Sequence, residues 1–131
     1  MTNKLKRILV AEDEDMLRDM LTLILKDEGY HVDSASNGKE AWQQLNDKHY
    51  DLLASDLFMP EMNGFELIEK CKQEFPAIKL LLFSGGGKEL DAEPGSKIIK
   101  FQGETTTVDL FLKKPYDLMD LLNNIENLLS E

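Results

Sequence analysis

The sequence has 131 residues, enough for one domain with one core, and a single cysteine, Cys71, which excludes an internal disulfide. Its 15 Lys and Arg against 25 Asp and Glu give a formal net charge of -10, which disfavours direct nucleic acid binding. No signal peptide is evident, and no apolar run approaches the ~18 residues of a membrane span. We therefore expect a cytoplasmic protein that binds neither nucleic acid nor membranes.

Short apolar runs alternate with amphipathic segments along the chain. Five strands are predicted at 7–11, 30–36, 50–56, 78–84 and 108–112, from continuous apolar or β-branched runs. Four helices are predicted at 15–28, 37–47, 65–75 and 118–129, from apolar residues at helical spacing. A further short helix is predicted over Ser96–Gln102, around the apolar residues Ile98, Ile99 and Phe101.

Five strand–helix units predict an α/β fold, a doubly wound five-stranded parallel sheet with helices on both faces. The sequence shows no repeat and no linker, so a single domain is predicted over residues 1–131, without an effector domain. The Asn63-Gly64 pair is typical of a turn, in which we expect Gly64 to have a positive φ.

Polar residues follow or end four of the predicted strands. Glu12 and Asp13 follow the first strand, Asp56 ends the third, Ser84 ends the fourth, and Lys114 follows the fifth. Ligands of a doubly wound sheet bind beyond the carboxyl ends of its strands, where these side chains should meet. Three carboxylates suit a hard cation such as Mg2+, and the lysine supplies a second positive charge near a phosphoryl group.

Two other chemistries do not fit this edge of the sheet. A dinucleotide site needs a glycine-rich turn after the first strand, and here that turn is acidic. A serine–histidine–acid triad needs a histidine beside the serine, but His31 and His49 lie at a predicted strand start and helix end. Glu14 and Asp15, which follow the acidic pair, are better placed to stabilise a helix start.

Four segments resemble the motifs of response-regulator receiver domains of two-component signalling. In chain order they are ILVAEDED, SDLFMPEMNGFEL, LLLFSGG and LFLKKPY. The resemblance covers nearly the whole chain and implies the flavodoxin-like strand order 2-1-3-4-5. It also implies a phosphorelay, in which a histidine kinase or phosphotransfer protein donates the phosphoryl group and a downstream protein receives the signal. A monomer is compatible with this interpretation.

The resemblance assigns roles to the residues at the strand ends. Asp56 is expected to be the phosphoacceptor, whose carboxylate forms an aspartyl phosphate. Mg2+ is expected to bind Glu12, Asp13, Asp56 and the backbone carbonyl of Phe58. Lys114 is expected to pair with the phosphoryl oxygens.

Further roles concern the switch and the access to the acceptor. Ser84 matches the family's switch hydroxyl, and Phe111 matches the aromatic residue that turns inward with it. Gly85 stands at a position that must stay small for the phosphoryl group to enter. The Lys114-Pro115 pair matches one that often has a cis peptide bond in the family.

Two departures from the family pattern carry predictions. The residues expected to orient the hydrolytic water are here Phe58 and Gly86, whose side chains form no hydrogen bonds, so slow loss of the phosphoryl group is expected. The stretch between Ser84 and Lys114 is also longer than usual.

Two alternative functions remain open at this point. The first is an interaction module of the same fold that takes no phosphoryl group, although no expected acid or lysine is missing from the sequence. The second is a phosphohydrolase with an aspartate nucleophile. One large class of these enzymes places a general acid two residues after the nucleophile, where this sequence has Phe58.

Overall fold

A five-stranded parallel sheet forms the centre of the molecule. The computed structural model describes residues 6–85, 90–93 and 95–130. The strands of this sheet are β1 (Arg7–Ala11), β2 (His31–Ala35), β3 (Leu52–Asp56), β4 (Lys79–Ser84) and β8 (Leu110–Lys113). They lie in the order β2-β1-β3-β4-β8 and are all parallel. The predicted α/β class and flavodoxin-like order are therefore confirmed.

Helices cover both faces of this sheet, as predicted. The described residues include α1 (Asp15–Asp27), α2 (Gly38–Asp47), α3 (Gly64–Glu74) and α4 (Leu118–Ser130). Helices α2 and α3 pack in one apolar layer, and α1 and α4 pack in the other. Strand residues alternate between the layers, so the central strands are apolar on both sides. Across the described ranges, no helix has both the length and the apolar character needed to cross a bilayer.

The helix predicted over Ser96–Gln102 is wrong, because this stretch contains a β-strand. Strand β6 (Ile98–Phe101) pairs antiparallel with β5 (Leu90–Asp91) and β7 (Glu104–Thr107) in a second sheet of order β5-β6-β7. We call this unit the small sheet.

The reason lies in the alternation of apolar and polar positions in β6. Ile99 and Phe101 are buried, whereas Ile98 and Lys100 are exposed, which is the two-residue period of a strand. The chain then reverses at Gln102 and Gly103, which both have a positive φ, 52° and 80°.

Side chains and backbone groups attach the small sheet to the main sheet and to α3. The Lys72 side chain donates hydrogen bonds to the hydroxyls of Thr106 and Thr107, at 3.0 and 2.9 Å. The Thr106 hydroxyl also donates to the carboxylate of Glu69. Gly95, in the loop between β5 and β6, donates a backbone hydrogen bond to the carbonyl of Phe111 at 2.7 Å. This bond uses a backbone group on the outer edge of β8.

The Asn63–Gly64 pair starts helix α3 and does not form the predicted positive-φ turn. Asn63 caps the helix in a capping box with Glu66, and Gly64 is the first helical residue. A Cβ atom on Gly64 would lie 2.3 Å from the backbone oxygen of Asp56. Glycine is required here by the close approach of two backbone segments rather than by φ.

Candidate functional site

Three carboxylates meet at the carboxyl ends of β1 and β3. Ala11 lies opposite Ser55 in the parallel pair, so the residues that follow these two reach the same edge of the sheet. Glu12, Asp13 and Asp56 each offer a carboxylate oxygen, and these oxygens lie within 4.8 Å of one another. Glu12 and Asp56 are buried, whereas Asp13 is exposed.

Backbone hydrogen bonds hold the two buried carboxylates in place. Asp56 Oδ1 accepts a hydrogen bond from the backbone N–H of Leu57 at 3.0 Å, and Glu12 Oε2 accepts one from Glu14 at 3.1 Å. The backbone of Glu12 is also fixed, because its N–H donates to Ala35 and its carbonyl accepts from the Arg18 side chain. The acidic edge is therefore a preformed arrangement.

Lys114 brings a positive charge to the two buried acids. Its backbone N–H donates to the carbonyl of Ser84 at 2.8 Å, directly after strand β8. Its Nζ lies 3.2 Å from Glu12 Oε1 and 3.4 Å from Asp56 Oδ1, and 5.4 Å from the centre of the Phe83 ring. The Lys114–Pro115 peptide bond is cis.

Burial raises the pKa values of the two buried acids by more than Lys114 lowers them. Burial raises the pKa of Asp56 to about 6, the charge of Glu12 adds to the rise, and Lys114 opposes it. Burial also raises the pKa of Glu12. The donor set consists of carboxylate oxygens, the ligands that Mg2+ prefers, so the residues fit this ion.

The other residues predicted for the site lie around this edge. Ser84 is fully buried at the end of β4, and Gly85 follows it in an exposed position. Phe58 is 41% exposed, two residues after Asp56, while Phe111 is buried in the layer that holds α2 and α3. Gly86 lies outside the described residues.

No residue of the small sheet was predicted for the site from the sequence, yet the turn between β6 and β7 lies beside the site. A cavity of about 410 Å³ is lined by Asp13 and Phe58 together with Phe101 and Gln102 of the small-sheet hairpin. The alternation in 98–101 and the Gln102-Gly103 pair were the signals for this hairpin. They did not indicate that the turn lies near the acids.

Tyr116, which follows the cis proline, was also not predicted. Its ring packs against Phe83 with centroids 5.8 Å apart. In the described part of the chain, its hydroxyl is the one buried side-chain polar atom without a hydrogen-bond partner. Burial, with the charges of Glu12 and Asp56, raises its pKa to about 12, so it is a neutral phenol beside the acids at neutral pH.

Comparison with known proteins agrees with this arrangement. The family model "Response regulator receiver domain" matches residues 8–126. CpdR of Brucella abortus (strain 2308), a response regulator receiver protein, is 34% identical over 130 residues, which cover 95% of this chain and 98% of CpdR. The chain spans about half or less of the length of several other curated relatives.

Solved structures show the same fold. TrrA of Thermotoga maritima in complex with Mg2+–BeF has a TM-score of 0.78 at 27% identity, over 95% of this chain and 99% of TrrA. TrrA in complex with the histidine kinase ThkA has a TM-score of 0.77 at 28% identity, over 96% of this chain and all of the matched chain, 100%. From its sequence and its fold together, the chain belongs to the response regulator receiver domains of two-component signalling systems.

Proposed function

We propose that this chain accepts a phosphoryl group on Asp56 in a Mg2+-dependent reaction, and that phosphorylation switches its binding to a downstream protein. One observation carries the proposal. The buried carboxylate of Asp56 lies beside two further acids and 3.4 Å from the Lys114 ammonium. A nucleophile, oxygen ligands for a cation and a fixed positive charge are the groups that phosphoryl transfer to a carboxylate needs.

In the proposed reaction a carboxylate oxygen of Asp56 attacks the phosphorus of a phosphohistidine. A P–O bond forms, the P–N bond breaks, and an aspartyl phosphate results. Glu12, Asp13, Asp56 and the backbone carbonyl of Phe58 would hold Mg2+, which supplies positive charge beside the phosphoryl oxygens when bound. Lys114 pairs with a phosphoryl oxygen, so its contact with Asp56 is replaced by one with the product.

The switch is proposed to start at the end of β4. The hydroxyl of Ser84 turns to donate a hydrogen bond to the phosphoryl group, and Phe111 follows this movement. Gly85 leaves room for the group, since no atom lies within 4 Å of the place where its Cβ would stand. Phe58 and Gly86 offer no side-chain hydrogen bond to a hydrolytic water, so self-catalysed loss of the phosphoryl group is slow.

The donor is proposed to be a histidine kinase or a phosphotransfer protein. The similarity to TrrA, which has been solved in complex with the histidine kinase ThkA, supports this choice. The net charge of -10 disfavours direct contact with nucleic acid, so the output is a protein contact. We propose a cytoplasmic, membrane-independent location, where a buried free thiol such as Cys71 stays reduced, and a monomeric state.

The test is incubation with acetyl phosphate and Mg2+, followed by intact mass measurement. We expect a gain of one phosphoryl group, which disappears in Asp56→Asn and persists in the matched control Asp19→Asn, since Asp19 lies on the exposed side of α1. No gain by the folded protein would contradict the proposal and favour an unphosphorylated interaction module. Continuous release of phosphate without phosphorylated protein would favour a phosphohydrolase.

A further inference from the structure

An aromatic pair joins the small sheet to Phe58, which lies two residues after Asp56. Phe101, the last residue of β6, meets Phe58 with ring centroids 5.7 Å apart at an interplanar angle of 70°, an edge-to-face arrangement. Phe58 is 41% exposed, whereas Phe101 is 3% exposed. A partly exposed ring beside Asp56 therefore rests against a buried ring from another sheet.

Phe101 is itself held on several sides. Its ring lies 5.8 Å from that of Phe65 in α3, and it packs in the same apolar layer as Ile99. Ile99 pairs with Thr106 in β7, and Lys72 of α3 donates a hydrogen bond to Thr106. The position of Phe101 is thus fixed by α3 and by the hairpin together.

This pair lies beside Asp13, the exposed acid of the site. Asp13, Phe58 and Phe101 all line the cavity of about 410 Å³. A water that hydrolyses an aspartyl phosphate attacks phosphorus from the side away from Asp56, and the P–O bond to Asp56 then breaks. An exposed aromatic ring without a neighbour changes rotamer within nanoseconds, so it shields such a path poorly unless something holds it.

We propose that Phe101 is a positioning residue that holds the Phe58 ring over the solvent side of the site and so slows hydrolysis of the aspartyl phosphate. The inference rests on the proposed function, because it concerns the lifetime of the phosphorylated form. The small sheet, although far from Asp56 in sequence, would thereby lengthen the lifetime of the aspartyl phosphate.

The experiment measures the decay of phosphorylated protein. The protein is phosphorylated with acetyl phosphate and Mg2+, the donor is removed, and the phosphorylated fraction is followed by intact mass. Phe101→Leu keeps an apolar side chain and removes the ring edge, so we expect decay about 2- to 10-fold faster, the range that one aromatic pair implies. Phe58→Ala should accelerate decay as well, and the double variant should decay no faster than the faster single variant.

Ile99→Val is the matched control, because Ile99 is buried in the same strand and layer but has no aromatic ring to pair with that of Phe58. It should decay as the wild type does, and thermal unfolding of both variants shows whether lost stability alone changes the rate. Wild-type decay in Phe101→Leu, or equal acceleration in Ile99→Val, would overturn the inference while leaving the proposed function intact. Failure of the wild type to take up a phosphoryl group would overturn both, and it would be seen before any decay is measured.

Discussion

At the scale of single residues, Gly64 at the start of α3 and Gly85 after β4 have different surroundings. A Cβ on Gly64 would lie 2.3 Å from the backbone oxygen of Asp56, whereas a Cβ on Gly85 would have no atom within 4 Å. We expect Gly64→Ala to lower the free energy of unfolding by about 1–3 kcal/mol, because the start of α3 must move away from β3. Gly85→Ala should change it by less than about 0.5 kcal/mol.

The variants Gly64→Ala and Gly85→Ala distinguish an effect on folding from an effect on phosphorylation. Gly85→Ala should take up the phosphoryl group more slowly than the wild type, because in the proposed role of Gly85 a methyl group fills open space through which the phosphoryl group enters. Urea unfolding and a phosphorylation time course measure the two effects. A stable Gly85→Ala protein that is phosphorylated at the wild-type rate would contradict the role proposed for this glycine.

The raised pKa of Asp56 makes the stability of the metal-free protein depend on pH. Because folding raises this pKa from its usual value of 3.8 to about 6, the folded state binds the proton more tightly than the unfolded state does. Stability should therefore rise as pH falls from about 7.5 to about 5, in contrast to a carboxylate with a lowered pKa.

Asp56→Asn removes this cost, so at about pH 7.5 in EDTA it should be more stable than the wild type by about 1–3 kcal/mol. The difference should shrink towards pH 5, since Asp56 becomes protonated. Urea unfolding of both proteins at several pH values measures it. The raised pKa of Glu12 acts in the same direction in both proteins, so only the difference between them reports on Asp56. A difference that grows with falling pH would contradict the assignment.

At the scale of secondary structure, the prediction succeeded where local pattern and sheet geometry agree. Strands β1, β3 and β4 are buried on both faces, so they appear in the sequence as largely apolar runs that end in a polar residue or are followed by one. The carboxyl ends of parallel strands share one edge, so Glu12 and Asp56 could be expected to meet. No such rule connects Phe101 to Phe58, because their contact depends on the position of a second sheet.

The error at residues 96–102 has an identifiable cause. Three apolar residues in seven suit a short helix as well as a strand, and the regular succession of strands and helices favours a helix at this place. The structure follows the two-residue alternation, the Gln102–Gly103 turn and the β-branched run Thr105–Thr107 instead. Local strand signals were thus stronger than the pattern of the fold as a whole.

A test at this scale concerns the attachment of the hairpin to α3. Lys72→Met removes the hydrogen bonds to Thr106 and Thr107 but keeps a long side chain, so the free energy of unfolding should fall by about 0.5–2 kcal/mol. Hydrogen exchange should become faster at the amides of β6 and β7, more than at those of β1. Lys70→Met is the control on the same helix, since Lys70 Nζ lies over the ring of Trp42, 5.5 Å from its centre. Equal exchange in both variants would contradict this role of Lys72.

At the scale of the whole molecule, the excess of negative charge bears on the site. A net charge of -10 opposes the compact state through general repulsion, and three clustered carboxylates add a local repulsion at the end of the sheet. Any salt weakens the first effect by screening. Lys114 relieves part of the second effect, and a cation bound to the oxygen ligands relieves more of it, so the two effects can be separated by experiment.

We therefore expect Mg2+ to stabilise the protein more than NaCl of equal ionic strength does. At a concentration ten times the dissociation constant, binding to the folded state alone adds about 1.4 kcal/mol, which corresponds to a rise in Tm of about 3–6 °C. Asp13→Asn should lose most of this rise, because it removes a ligand that is exposed and thus dispensable for packing. The control Asp19→Asn should keep it, since it changes the net charge equally. An equal rise in both variants would mean that Mg2+ acts on the overall charge of the molecule and not at Glu12, Asp13 and Asp56.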